Sequence, residues 1–272
     1  MRVSALCALG VGALCALAGG CNYAAYLIRE ARAPIAGLEV RMDPRERRSC
    51  LVVFMPGMFD TPDAFVDGGF VEDALAASRA CDLLLVDAHF GYYREGSVRA
   101  RVTQDVVLVA RARGYEQIWI VGVSMGGLGA LFTAQANPEQ IDGVVLLAPF
   151  LGDEAVIGAV RDAGGLAAWS APRDADIGDE AEDSAGLWAW LQGYATHPER
   201  MPSLFVGVGE DDGRVGVDLL SGVLPEARTG RAPGGHNWST WRVLWRRLLA
   251  SPPWDPRGVS RIDEERDSGP DR

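Results

Sequence analysis

Five apolar runs, separated for the most part by stretches of helical spacing, constrain this 272-residue chain more than any other feature. The runs are CLVVFM, CDLLLVD, QIWIVGV, GVVLLAPF and SLFVGVG, beginning at Cys50, Cys81, Gln117, Gly143 and Ser203. Each is continuously apolar rather than alternating, as a strand covered on both faces must be. Between them, FVEDALAASRA and MGGLGALFTAQANP have the spacing of helices. In SVRARVTQDVVLVARARGY, the residues Val98, Val102, Val106 and Val109 fall on one helical face, closed by Gly114. Strands alternating with helices at this spacing imply right-handed βαβ units, hence an α/β fold with a mostly parallel central sheet and helices on both faces.

The flanks and one interior segment depart from this rhythm. Residues 151–201 are rich in Gly, Ala, Asp and Trp (Trp169, Trp188, Trp190) and contain no good strand, so they read as a helical insertion. After SLFVGVG, a short strand near EARTGR and an arginine-rich helix from about Ser239 to Ala250 complete the domain, which spans 49–250. Residues 251–272 are polar and proline-rich, the composition of a disordered tail. Residues 21–48 read as an arginine-rich linker, with one short strand in GLEVRM.

The first twenty residues have the layout of an export signal: Arg2, an apolar run from Val3 to Ala18, then small residues. The run is short of the roughly 20 apolar residues that a membrane span needs. LAGGC resembles a bacterial lipoprotein box with Cys21 as the lipidated residue, although Leu17 stands one place further from the cysteine than in the usual pattern. Ala16-Leu17-Ala18 also reads as a site of soluble release. The expectation is therefore an exported protein, anchored in the membrane through a lipid on Cys21 or released in soluble form. Cys50 and Cys81 then remain in an oxidising compartment. If their strands are parallel neighbours, the two cysteines share a sheet edge and can bond; two reduced thiols is the equal alternative.

Charge narrows the chemistry. A net charge of −11 leaves no basic patch for nucleic acid. All 26 basic residues are arginine, so a P-loop lysine, a Schiff-base lysine and a kinase lysine are excluded. No cofactor and no metal site is expected.

One serine, Ser124, stands where the strand QIWIVGV gives way to the helix MGGLGAL, between Gly122 and Gly126. A nucleophile on a sharp turn needs glycines there, because side chains would collide, and the helix N-terminus that follows aims its free N–H groups at a developing oxyanion. The competing reading is a serine that merely caps the helix. A nucleophilic serine needs a base, and the chain has only His89, His197 and His236. His236, in the glycine-flanked loop APGGHNW after the last strand, is best placed to reach over the sheet. His89 follows the second strand and could line a pocket, and His197 belongs to the insertion. A third group must orient the imidazole. Glu210, Asp211 and Asp212 cluster at the end of SLFVGVG, with Asp153 or Glu154 as the runner-up. The second oxyanion donor is expected in FMPGMFD, where Gly57 permits close approach and Met58 donates beside Met125.

Taken together, GVSMGG, GEDDGRV and GGHNW resemble, in order, the nucleophile elbow, acid turn and histidine loop of α/β-hydrolase fold proteins of the esterase/lipase type. The resemblance runs from about Cys50 to Ala250 and selects Asp212 as the acid. It implies a helical lid at 151–201, and Pro56 replaces the histidine that many members carry before the oxyanion glycine. The expected function is that of a serine hydrolase acting on a carboxylic ester or thioester of small-molecule size through an acyl-enzyme. Acyl transfer on the same triad and a non-catalytic scaffold are the alternatives.

Overall fold

The computed structural model describes residues 25–43, 45–77, 80–172, 184–213 and 216–255. Seven strands form one sheet in the order β1-β3-β2-β4-β5-β6-β7. They are β1 (Gly37–Val40), β2 (Cys50–Met55), β3 (Cys81–Val86), β4 (Gln117–Val123), β5 (Gly143–Leu147), β6 (Ser203–Gly209) and β7 (Thr229–Ala232). Only β1 runs antiparallel, against β3, and every other pairing is parallel. The chain therefore has the expected α/β architecture: a mostly parallel sheet with helices on both faces.

The apolar runs divide by alternate residues, as a strand's two-residue period requires. Leu51, Val53 and Met55 of β2 face one core, and Cys50, Val52 and Phe54 face the other. The first face is covered by α2 (98–112), α3 (Met125–Ala136), α4 (Glu154–Asp162) and α5 (Ser184–Leu191), and the second by α1 (Phe70–Ala77) and α6 (Trp238–Leu249). On that second face Phe70 stacks flat on the fully buried Trp245, with ring centroids 5.5 Å apart. Burial of each such side chain is worth about 1.5–3 kcal/mol. Among the described residues, no helix is long and apolar enough to cross a membrane.

The helix α2 corrects the face read from its valines. Val98, Val102 and Val106 are buried, but Val109 is exposed, and Val107 and Ala110 are buried instead. The cause is a π-helical turn at Thr103–Val107 between Val98–Val102 and Leu108–Ala112. One extra residue in a turn rotates everything after it by about 100°, so the inward face moves to different positions.

The 21–48 segment is more than a linker where it is described. Asp82, fully buried in β3, accepts hydrogen bonds from Met42 N–H, Arg48 N–H and the Tyr115 hydroxyl. Burial and this bond push the Tyr115 phenol up to about 12. Ile35 is buried as well, and its N–H donates to Asp105. Packing also continues past Ala250. Trp254 is buried against Trp119 and Trp245, so the ordered domain reaches Asp255, five residues beyond the expected boundary. Residues 256–272, the signal segment and Cys21 lie outside the described residues. Of the insertion, α4 and α5 pack on the main core, with Trp188 fully buried and its indole N–H donating to Leu151. Residues 173–183 lie outside the described residues.

Candidate active site

Ser124 sits between β4 and α3 at φ 51° and ψ −116°, a backbone conformation that an L-residue adopts only under constraint. Its N–H donates to Leu147, and its carbonyl accepts from Gly127 and Phe150. The flanking glycines explain how the turn closes. A Cβ on Gly122 would lie 2.4 Å from the Gly126 oxygen, and one on Gly126 would lie 2.1 Å from the Met55 oxygen. Both are far inside contact distance, so no larger residue fits. Ser124 occupies the N-cap position of α3, yet its side chain makes no cap hydrogen bond. The hydroxyl turns instead to His236.

His236 Nε2 lies 3.0 Å from Ser124 Oγ, and His236 Nδ1 lies 2.8 Å from Asp212 Oδ2. With Nδ1 protonated, the ring donates to the carboxylate and accepts from the serine hydroxyl. The Asp212 side chain is 1% exposed and that of His236 28%, so the acid is dry while the imidazole opens outward. Two loops hold this pair. The acid turn after β6 is tied to the histidine loop by Glu210 N–H donating to Ala232 and Asp211 N–H donating to Gly234. On the other side, Asn237 caps α6 by accepting from Thr240 N–H, which fixes the chain one residue after the histidine. Trp241 of α6 meets the imidazole edge-on at 4.9 Å.

The loop after β2 closes the site from another side. A Cβ on Gly57 would lie 3.5 Å from Ser124 Cβ, so this loop passes directly beside the serine. Met125 begins α3, where an N–H has no intrahelical partner. Among the described residues, Met58 N–H donates to no backbone group in a turn, loop or cap. Phe59, next in the loop, has φ 69°, a second constrained non-glycine backbone near the serine.

Other candidates fall elsewhere. Asp153 spends its carboxylate as the N-cap of α4, accepting from Ala155 N–H. His89 is buried at the N-cap of the short helix Phe90–Arg94, where Nδ1 accepts from Gly91 N–H, and burial lowers its basicity. His197 is exposed on the insertion. Cys50 and Cys81 stand opposite each other in the β2–β3 register and are disulfide-bonded, with Cα atoms 4.4 Å apart. This bond lies at the amino ends of the strands, the end away from Ser124.

Sequence reasoning missed Asp60. Its carboxylate accepts from the Trp238 indole N–H at 3.3 Å, lies beside Gly57 and feels the charge of His236. Burial pushes its pKa above the ordinary carboxylate value. The available signal was its place at the end of FMPGMFD, with a tryptophan beside the histidine in HNW.

A family model described as "alpha/beta hydrolase fold" matches residues 93–174, the stretch from just before α2 through the elbow into the insertion. No curated protein matches the chain. Among solved structures the chain is similar to an S-formylglutathione hydrolase from Agrobacterium tumefaciens, at 13% identity and a TM-score of 0.52 over 81% of this chain and 91% of that one. It is also similar to a ferulic acid esterase, at 16% identity and a TM-score of 0.50 over 75% and 84% of the two chains. An S-formylglutathione hydrolase from Staphylococcus aureus aligns at 14% identity and a TM-score of 0.50 over 82% and 97%. These likenesses, with the sheet order, make the chain a protein of the α/β-hydrolase fold.

Proposed function

We propose that the protein is a serine hydrolase that cleaves carboxylic ester or thioester bonds through an acyl-enzyme. The observation that carries this reading is the chain of contacts from Asp212 through His236 to Ser124, at 2.8 and 3.0 Å. His236 takes the Ser124 proton as the serine oxygen attacks the acyl carbonyl. Asp212 holds the tautomer and stabilises the imidazolium. The N–H groups of Met58 and Met125 receive the oxyanion. His236 then gives its proton to the leaving alcohol or thiol, and Ser124 is left acylated. Water, deprotonated by the same imidazole, attacks the acyl group, and collapse of the second tetrahedral intermediate returns the proton to Ser124.

Esters and thioesters are preferred to amides because their leaving groups depart with less assistance. Similarity to esterases and S-formylglutathione hydrolases agrees in kind, and the acyl chemistry is argued from the site itself. Export with a lipid on Cys21 belongs to the same proposal, on the strength of the LAGGC segment.

Hydrolysis of short-chain 4-nitrophenyl esters tests the reading. Ser124→Ala should lower kcat by about 10⁴-fold or more with the circular-dichroism spectrum intact. Equal rates in the two proteins would transfer the chemistry elsewhere, and a well-folded protein inert towards every ester tried would favour a binding role.

A further inference from the structure

The strand ends that carry Ser124 also carry apolar side chains in the open. Met58 and Phe59 follow β2 and are exposed. Phe150 follows β5, is exposed, and donates its N–H to the Ser124 carbonyl. Leu27 and Ile28 are exposed too, Ile28 to 73%. Their segment is fixed at this same end of the sheet. The Tyr26 ring lies 5.3 Å from Phe59, Phe90 N–H donates to the Tyr26 hydroxyl, and Arg94 donates to the Leu27 carbonyl. Arg29 adds a paired contact to Asp87, just past β3. An apolar rim of this kind around a site marks a surface that meets something apolar.

We propose that this rim docks on a bilayer surface, so that the Ser124 site opens onto the membrane and takes acyl esters carried in it. Two observations select the bilayer. First, the chain that precedes the described residues enters at the rim. Cys21 lies four residues before Ala25, which bounds their separation at about 14 Å. A lipid on Cys21, which belongs to the proposed function, holds the rim, and not the opposite face, against the membrane. Second, the net charge of −11 opposes attraction to anionic headgroups, so docking proceeds through apolar contact and is insensitive to salt. The substrate half rests on Ser124 as nucleophile; the docking half does not.

Hydrogen–deuterium exchange of the full-length protein, with and without phosphatidylcholine vesicles, tests the docking half. Protection confined to peptides containing residues 25–29, 58–60 and 149–151 is the expected result. Vesicle-bound protein without protection there would overturn it. So would protection of the same peptides in a dimer without vesicles, which would make a second copy the occupant. Rates on a long-chain 4-nitrophenyl ester in the vesicles and on a soluble short-chain ester test the substrate half. Ile28→Asp should lower the ratio of vesicle to soluble rate at least tenfold, and an unchanged ratio would overturn it. Loss of both rates in the wild type would refute the serine-hydrolase reading, while the exchange pattern would still decide the docking.

Discussion

Gly209 and Gly234 approach so closely that a Cβ on Gly209 would lie 2.2 Å from the Gly234 carbonyl oxygen. The last residue of β6 is therefore pressed onto the loop that carries His236, two residues before it. This contact sets the separation of the acid turn from the histidine loop. Gly209→Ala should push them apart and lower kcat about 100-fold, since a displacement near 1 Å at a reacting group costs that much. Steady-state kinetics beside a thermal melt checks it; wild-type kcat in the variant would show that the two loops are positioned by other contacts.

Asp212→Asn keeps the shape of the acid and removes its charge. We expect kcat to fall about 10³–10⁴-fold with folding unaltered, because the amide favours the wrong imidazole tautomer. A near-normal rate would hand the role to another carboxylate, Asp211 being the nearest in sequence.

The Cys50–Cys81 bond closes a loop of sequence separation 31 at the amino ends of β2 and β3. Loop-closure entropy gives it about 3–4 kcal/mol. Met55, at the other end of β2, is about 16 Å away at the rise of a strand. The double variant Cys50→Ala, Cys81→Ala should accordingly lose stability by urea titration while keeping its specific activity on soluble esters. A parallel loss of activity at low temperature, where the variant is folded, would tie the bond to the site.

Asp73 of α1 accepts from both Arg242 and Arg246 of α6, and the Arg242 guanidinium chiefly holds its carboxyl at about 2. A carboxyl held below its unfolded value stabilises the fold above about pH 4. That contribution fades as the pH falls from there towards 2. Asp73→Asn should cost about 1 kcal/mol at neutral pH, for a pair whose arginines reach solvent. The gap between variant and wild type should shrink in urea titrations taken from pH 5 down to pH 2.5. A gap that is constant with pH would mean that Asp73 acts through packing.

Most of the fold was legible because a parallel sheet writes itself as apolar runs: β4 and β6 coincide with QIWIVGV and SLFVGVG. The site was legible where chemistry restricts residue type. Gly122 and Gly126 have no substitutes in a turn this tight, and three histidines leave little choice of base. What escaped depends on tertiary placement. The π-helical turn that exposes Val109 inserts one residue without leaving a composition signal. Trp254 looked like part of a polar tail, since only contact with Trp119 and Trp245 gives it a core role. Asp60 became part of the site only because α6 brings Trp238 to it.

The central claim, that Ser124 is a nucleophile activated by His236, is tested most directly by a fluorophosphonate probe followed by peptide mass mapping. A single adduct on Ser124, lost in His236→Ala as well as in Ser124→Ala, is the result predicted. Folded wild-type protein that takes up no probe, or takes it up at another residue, would contradict it.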